Sequence, residues 1–94
     1  MKVVYIAHPV AGDVEGNLAR ILGICEQLHS PELYPIAPYH QMLQYTRDEN
    51  PVQRALGMQC NLLYIERFVD EVWLFGNRIS KGMEEEIVHA KRHG

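Results

Sequence analysis

The chain has 94 residues, 47% of them hydrophobic, with 9 Lys and Arg against 12 Asp and Glu for a formal charge of −3. That length makes one domain, residues 1–94, near the lower end for a self-sufficient core. The acidic balance offers no footprint for nucleic acid or an anionic membrane surface, and no stretch approaches the roughly 18 apolar residues of a spanning helix.

Lys2 leads straight into Val3–Ala7, a β-branched and aromatic run that reads as a central strand and not as a signal peptide. His8-Pro9-Val10-Ala11-Gly12-Asp13 is a loop, with Asp13 as the N-cap of a helix. Leu18, Ile21, Leu22, Cys25 and Leu28 recur at helical spacing over about four turns. Ser30 and Pro31 end that helix. Leu33–Ala37 reads as a weaker strand at a sheet edge, because Pro35 cannot donate to the ladder. Pro38–Asn50 is an irregular polar-aromatic segment with one short helical turn around Met42 and Leu43. Asn50-Pro51-Val52-Gln53 then opens a helix with a cap, a proline at N1 and a capping-box glutamine. Leu56 and Leu63 carry it to about Phe68.

Val72–Phe75 is a continuous apolar run, the pattern of a parallel strand covered on both faces, with Trp73 in the core. Gly76 and Asn77 break it, and Ser80 caps a last helix that closes on Ala90, Lys91 and Arg92 and ends at His93-Gly94. The order β-α-β-loop-α-β-α specifies an α/β fold: a small three-layer, Rossmann/flavodoxin-like domain with a short parallel sheet in strand order 2-1-3. A swapped or mixed-sheet α+β domain is the second architecture in view. So small a sheet leaves edges and a helix face under-covered, which points to a homodimer or higher homo-oligomer. Cys25 and Cys60 lack metal or redox spacing and read as reduced core thiols of a cytoplasmic protein.

The last helix holds the most informative residue. Met83, Ile87 and Ala90 define its apolar stripe; Glu85 points away from it, Glu84 lies about a quarter-turn off, and Glu86 flanks it about 65–70° from the centre. Glu84 and Glu85 read as a solvated face. Glu86 is partly turned inward, where loss of water would raise its carboxyl pKa and suit it to acid, base or nucleophile chemistry. An ordinary boundary glutamate fits the same periodicity. His8, at the carboxyl end of the first strand, is placed to meet a ligand or to be a plain loop residue. Asn17 is placed either to orient that loop or to contact a ligand. Tyr39, His40 and Tyr45 offer stacking surfaces for a base or a cover for the core. His29, His89 and His93 have no ligand spacing, and the glycine-rich phosphate motifs are absent, so neither a metal nor a cofactor is expected.

Three pieces stand together: Val4-Tyr5-Ile6-Ala7-His8-Pro9, then Asp13 with Asn17, and Asp70-Glu71-Val72-Trp73-Leu74-Phe75-Gly76 followed by Ser80-Lys81-Gly82-Met83 and Glu86. This combination resembles the nucleoside 2-deoxyribosyltransferase-like superfamily over nearly the whole chain, particularly its small members, which also carry a stretch like Pro35–Pro38. The resemblance implies cleavage or transfer at the N-glycosidic bond of a 2'-deoxynucleoside or its 5'-monophosphate. It implies Glu86 as the nucleophile, Tyr5 beside the sugar and the glutamate, and Ser80 on phosphate at a helix N-terminus. Gly82 and Met83 of the same run, with His8 and Asn17, complete the substrate-binding candidates.

Two departures qualify the likeness. The related hydrolases grip phosphate with a glycine-serine-arginine loop after the first strand, whereas His8–Gly12 has no such arginine. Their second carboxylate would fall near Leu62, beside Asn61, where this chain has no acid. The nearest acids are Glu66 and Asp70, and Asp70 sits at the amino end of its strand, the wrong end for the site. A binding module that keeps the pocket without turnover, sensing a nucleoside or nucleotide, is therefore the second functional expectation.

Overall fold

The computed structural model describes residues 1–47 and 49–93. Asp48, in the segment read as irregular, and Gly94, the expected end of the last helix, lie outside the described residues. The elements run β1 (Lys2–Ala7), α1 (Val14–Leu28), β2 (Leu33–Ile36), α2 (Pro38–Met42), α3 (Pro51–Arg67), β3 (Glu71–Leu74) and α4 (Lys81–His93).

The three strands form one open parallel sheet in the order β2-β1-β3. Register runs from Lys2↔Leu33 to Tyr5↔Ile36 on one side and from Val4↔Glu71 to Ala7↔Leu74 on the other. Right-handed crossovers in this order send successive helices to opposite faces, which is the three-layer α/β arrangement. β1 is central, so Val4, Tyr5, Ile6 and Ala7 are fully buried. Each larger side chain of that strand contributes roughly 1.5–3 kcal/mol by leaving water. Pro35 lies in β2, an edge strand, where its missing N–H costs least.

Local capping follows the sequence. The Asp13 carboxylate accepts the Gly16 N–H at 3.1 Å, and Asn50 Oδ1 accepts from Val52 and Gln53 at 3.0 and 3.2 Å. The capping box is only half formed, because Gln53 Oε1 reaches back to the Arg47 N–H at 2.6 Å and not to its own cap. The helical turn expected around Met42 and Leu43 is α2, and it starts earlier, at Pro38. Its Tyr39 is buried, and the phenol donates to the Ile6 carbonyl.

Burial departs from the apolar pattern at several places. β3 is not covered on both faces: Val72 and Trp73 are only half-buried and Leu74 is 46% exposed. Trp73 is not core; its indole N–H donates to Glu71 Oε1 at 2.8 Å on the sheet surface. A run of apolar residues cannot distinguish a strand covered on both faces from one whose faces are left partly open. On α1, Leu18 and Ile21 are buried but Leu22 is exposed. On α3 the buried residues are Gly57, Asn61 and Ile65, while Val52, Leu56 and Leu63 face outward. Cys60 shares that outward face, so of the two free thiols only Cys25 is partly buried, and burial raises its pKa. Among the described residues, no helix is long and apolar enough to cross a membrane.

Candidate active site

Parallel strands carry their loops to one end, and there the loops after β1 and β3 are tied together. Arg78 donates to the Ala11 carbonyl at 3.1 Å. Gly76 has φ +95°, and a Cβ on it would lie 2.7 Å from Pro9 Cδ, so only glycine lets the two loops approach so closely. Ser80 then starts α4: its Oγ accepts the Met83 N–H at 3.2 Å and its carbonyl accepts the Glu84 N–H at 3.0 Å.

Above these loops is a solvent-open cleft with a cavity volume of about 110 Å³, small beside the range of about 300–1,000 Å³ typical of small-molecule sites. Glu86 lies in its wall and is only 5% exposed, whereas Glu84 and Glu85 are solvated. The Tyr5 phenol donates a short hydrogen bond to Glu86 Oε2. Glu86 Oε1 accepts no hydrogen bond from any described residue, which leaves one carboxylate oxygen oriented by the phenol and the other available to a ligand.

Burial sets the electrostatics. Loss of water pushes the Glu86 carboxyl up to about 7, against the lowering effect of the Tyr5 hydrogen bond, with a further rise from the neighbouring Glu85 charge. Tyr5 is held well above its ordinary value by burial and then by the Glu86 charge, and Tyr39 is raised by the same two causes. Both phenols therefore stay protonated and act as donors. Their rings are tilted, with centroids 5.8 Å apart, so α2 backs the Tyr5–Glu86 pair. A carboxyl near neutrality at a cleft wall populates both protonation states at pH 7, the condition that acid–base or nucleophilic work requires.

The other candidates divide. Ser80, Gly82, Met83 and His8 all line the cleft with Glu86. Ser80 Oγ already serves as an acceptor in the helix cap, so its proton is what it can offer a ligand. Met83 is 2% exposed, and the backbone of Gly82 leaves room that a Cβ would take, 3.0 Å from Met58 Cε. His8 Nδ1 is engaged at 2.7 Å with the Pro9 carbonyl. Asn17 is not in the cleft. Its amide donates to the Val10 carbonyl at 2.9 Å and its oxygen accepts from Arg20 at 2.8 Å, so it positions the loop that forms the rim. Tyr39 lines the cleft, while Tyr45 is exposed away from it. Asp70 accepts the Val3 N–H at 2.7 Å at the amino end of the sheet, and Glu66 lies 3.6 Å from His89; neither lines the cleft.

Several lining residues carry no motif. Asn61 is 7% exposed, and its Oδ1 is buried without a hydrogen-bond partner among the described residues. Gly57 and Met58 form the same wall, and Arg47 and Arg54 stand at its rim. The signal for Asn61 is its spacing from Gly57 and Ile65, one helical face of small, polar and branched residues, which competes with the more apolar face of Leu56 and Leu63. Glu86 is the single acid among the described residues that line the cleft.

No curated protein and no solved structure matches the chain. Residues 2–94 match a family model described as a domain of unknown function, DUF7768, so that nearly the whole chain belongs to that family.

Proposed function

We propose that this domain is an N-glycosidase or 2-deoxyribosyltransferase-like enzyme acting on a nucleoside or nucleotide, with Glu86 as nucleophile. The observation that carries the reading is the buried Glu86 carboxyl, held by the Tyr5 phenol through one oxygen while the other is open to the cleft. In its ionised form Glu86 Oε1 attacks the anomeric carbon through an oxocarbenium-like transition state. The C–O bond to the glutamate forms as the C–N bond breaks, and the departing base takes a proton from water. Water then hydrolyses the glycosyl ester, or a second base takes the sugar. Tyr5 keeps the carboxylate in one orientation, a positional contribution that leaves less to be ordered at reaction. The sequence resemblance to the deoxyribosyltransferase-like superfamily supports the same assignment of Glu86, Tyr5 and Ser80.

A nucleoside- or nucleotide-sensing module is the second reading, favoured by one feature: no other acid among the described residues lines the cleft to assist the leaving base. The two separate in one assay. The protein is incubated with deoxynucleosides and their monophosphates, and free or exchanged base is measured, with Glu86→Ala alongside. Base release that disappears in Glu86→Ala is the expected result, and release that persists in it removes the proposed nucleophile. Absence of release together with a ligand-induced rise in melting temperature assigns the sensor. The same reading places the protein in the cytoplasm as a homodimer, in which the outward apolar face of α3 supplies burial that a domain this small lacks.

A further inference from the structure

His8 is a buried titratable group of the cleft that the glycosidic reading leaves without work: it is 8% exposed and lines the cleft together with Glu86. It follows β1 directly, at the carboxyl end of the sheet, where open α/β sheets hold their ligands. The roles of both ring nitrogens follow from one contact. A carbonyl only accepts, so the 2.7 Å contact with the Pro9 carbonyl puts a proton on Nδ1. In the neutral ring Nε2 is then the acceptor, and it bonds to no described residue. Nor is Nε2 sealed off from solvent, as the Asn61 oxygen is. The ring stands against Gly76, where a Cβ would lie 3.6 Å from Nε2; glycine leaves that side of the nitrogen open. A second observation is what the rest of the cleft lacks. Once a sugar is esterified to Glu86, that carboxylate no longer serves as a base, and no other acid among the described residues lines the cleft. Tyr39 is held protonated by burial, and Arg47 and Arg54 are cations. Among the described titratable residues of the lining, His8 is the base that remains.

We propose that His8 is a further catalytic residue, the general base that activates water against the sugar ester on Glu86. The inference rests on reading the Glu86 cleft as a glycosidic site and adds the group that completes its second half-reaction. In that step the water oxygen attacks the anomeric carbon. The new C–O bond forms as the bond to Glu86 Oε1 breaks, and the electron pair returns to the carboxylate, which Tyr5 holds through Oε2. The proton leaving the water goes to His8 Nε2. The imidazolium so formed donates from both nitrogens and keeps its Nδ1–H on the Pro9 carbonyl, then releases the proton to solvent before the next turnover. Because the carbonyl fixes the tautomer and the ring orientation in advance, little is left to be ordered when the water arrives.

The test is rapid-quench base release on the full chain, with the 2'-deoxynucleosides and their 5'-monophosphates as probes and Glu86→Ala alongside. His8→Asn keeps a side-chain N–H for the Pro9 carbonyl and lacks Nε2, whereas His8→Ala leaves space for added imidazole. Melting temperatures check that both variants fold. The expected result for His8→Asn is one equivalent of base released at the wild-type rate, followed by steady turnover lower by roughly 10²–10⁴-fold, the usual weight of acid–base catalysis. The stalled protein should carry the mass of one sugar on Glu86, and imidazole should restore turnover to His8→Ala. Steady turnover in His8→Asn equal to that of the wild type overturns the role. So does a loss of turnover with no trapped sugar, which makes His8 a binding residue. Where the wild type releases base and Glu86→Ala does not, either of these outcomes removes His8 alone. A wild-type protein that releases no base removes the glycosidic reading, and this role with it.

Discussion

Replacing Glu86 by Gln is expected to stabilise the protein increasingly as pH rises. The folded carboxyl sits at about 7 and the ordinary value is 4.5. Because the folded pKa is the higher one, the native state holds the proton more tightly than the unfolded chain between those values. Stability is therefore full below about pH 4.5 and falls as pH rises through 7, after which it levels off. At about 1.36 kcal/mol per pKa unit the loss at pH 8 amounts to about 3 kcal/mol. Glutamine keeps the shape and cannot ionise, so the variant escapes the loss. Glu71, which is lowered chiefly by its hydrogen bonds to Lys2 and Trp73, gives the opposite pH trend but is common to both proteins and drops out of their difference. The assay is urea unfolding of wild type and Glu86→Gln from pH 4.5 to 8, read as the difference in unfolding free energy. The gap should widen by about 3 kcal/mol in favour of the variant, equivalent to roughly 12–24 °C in melting temperature for a domain of this size. A gap that stays constant across that range would refute the claim that Glu86 is desolvated in the folded protein. The same variant should be inactive in the base-release assay, a site whose chemistry costs stability.

Tyr5→Phe removes the donor to Glu86 Oε2 without emptying the core, and a hydrogen bond to a charged group is typically worth about 1.5–3 kcal/mol. The Glu86 carboxyl should then titrate about one to two units higher, visible by NMR titration, and the acid limb of any activity profile should move up with it; an unchanged titration would mean that the phenol does not hold the carboxylate. Leu56→Glu on the outward face of α3 should convert a dimer to a monomer in light scattering with little loss of melting temperature, since Leu56 is 60% exposed in the single chain. A wild-type protein that is monomeric at all concentrations would dispose of the homodimer.

The fold was largely legible in the sequence. Caps at Asp13, Asn50 and Ser80, the β-branched run of β1 and the proline in β2 are local signals, and local backbone preference decides them. Glu86 was legible for a related reason: helical periodicity set it inward while its two neighbouring glutamates faced water. The weights of faces were not. Trp73 and Leu74 look like core because they are apolar, but their exposure depends on how far other elements cover the faces of β3, which no local pattern encodes. On α3 the more hydrophobic face lost to Gly57, Asn61 and Ile65, because α4 and the cleft required small and polar groups there.

The sequence by itself determined which segments become strands and helices and their parallel order, and it set Glu86 nearest the apolar stripe among the three adjacent acids of the last helix. Only the tertiary structure decided that Tyr5 and Glu86, 81 residues apart, share a hydrogen bond, that Asn17 serves a loop, and that Arg47, Arg54 and Asn61 face the same cleft. The physical reason is range. Turn chemistry and periodicity act within a few residues, whereas a cleft is made by chain segments distant in sequence whose surroundings exist only once the sheet has assembled.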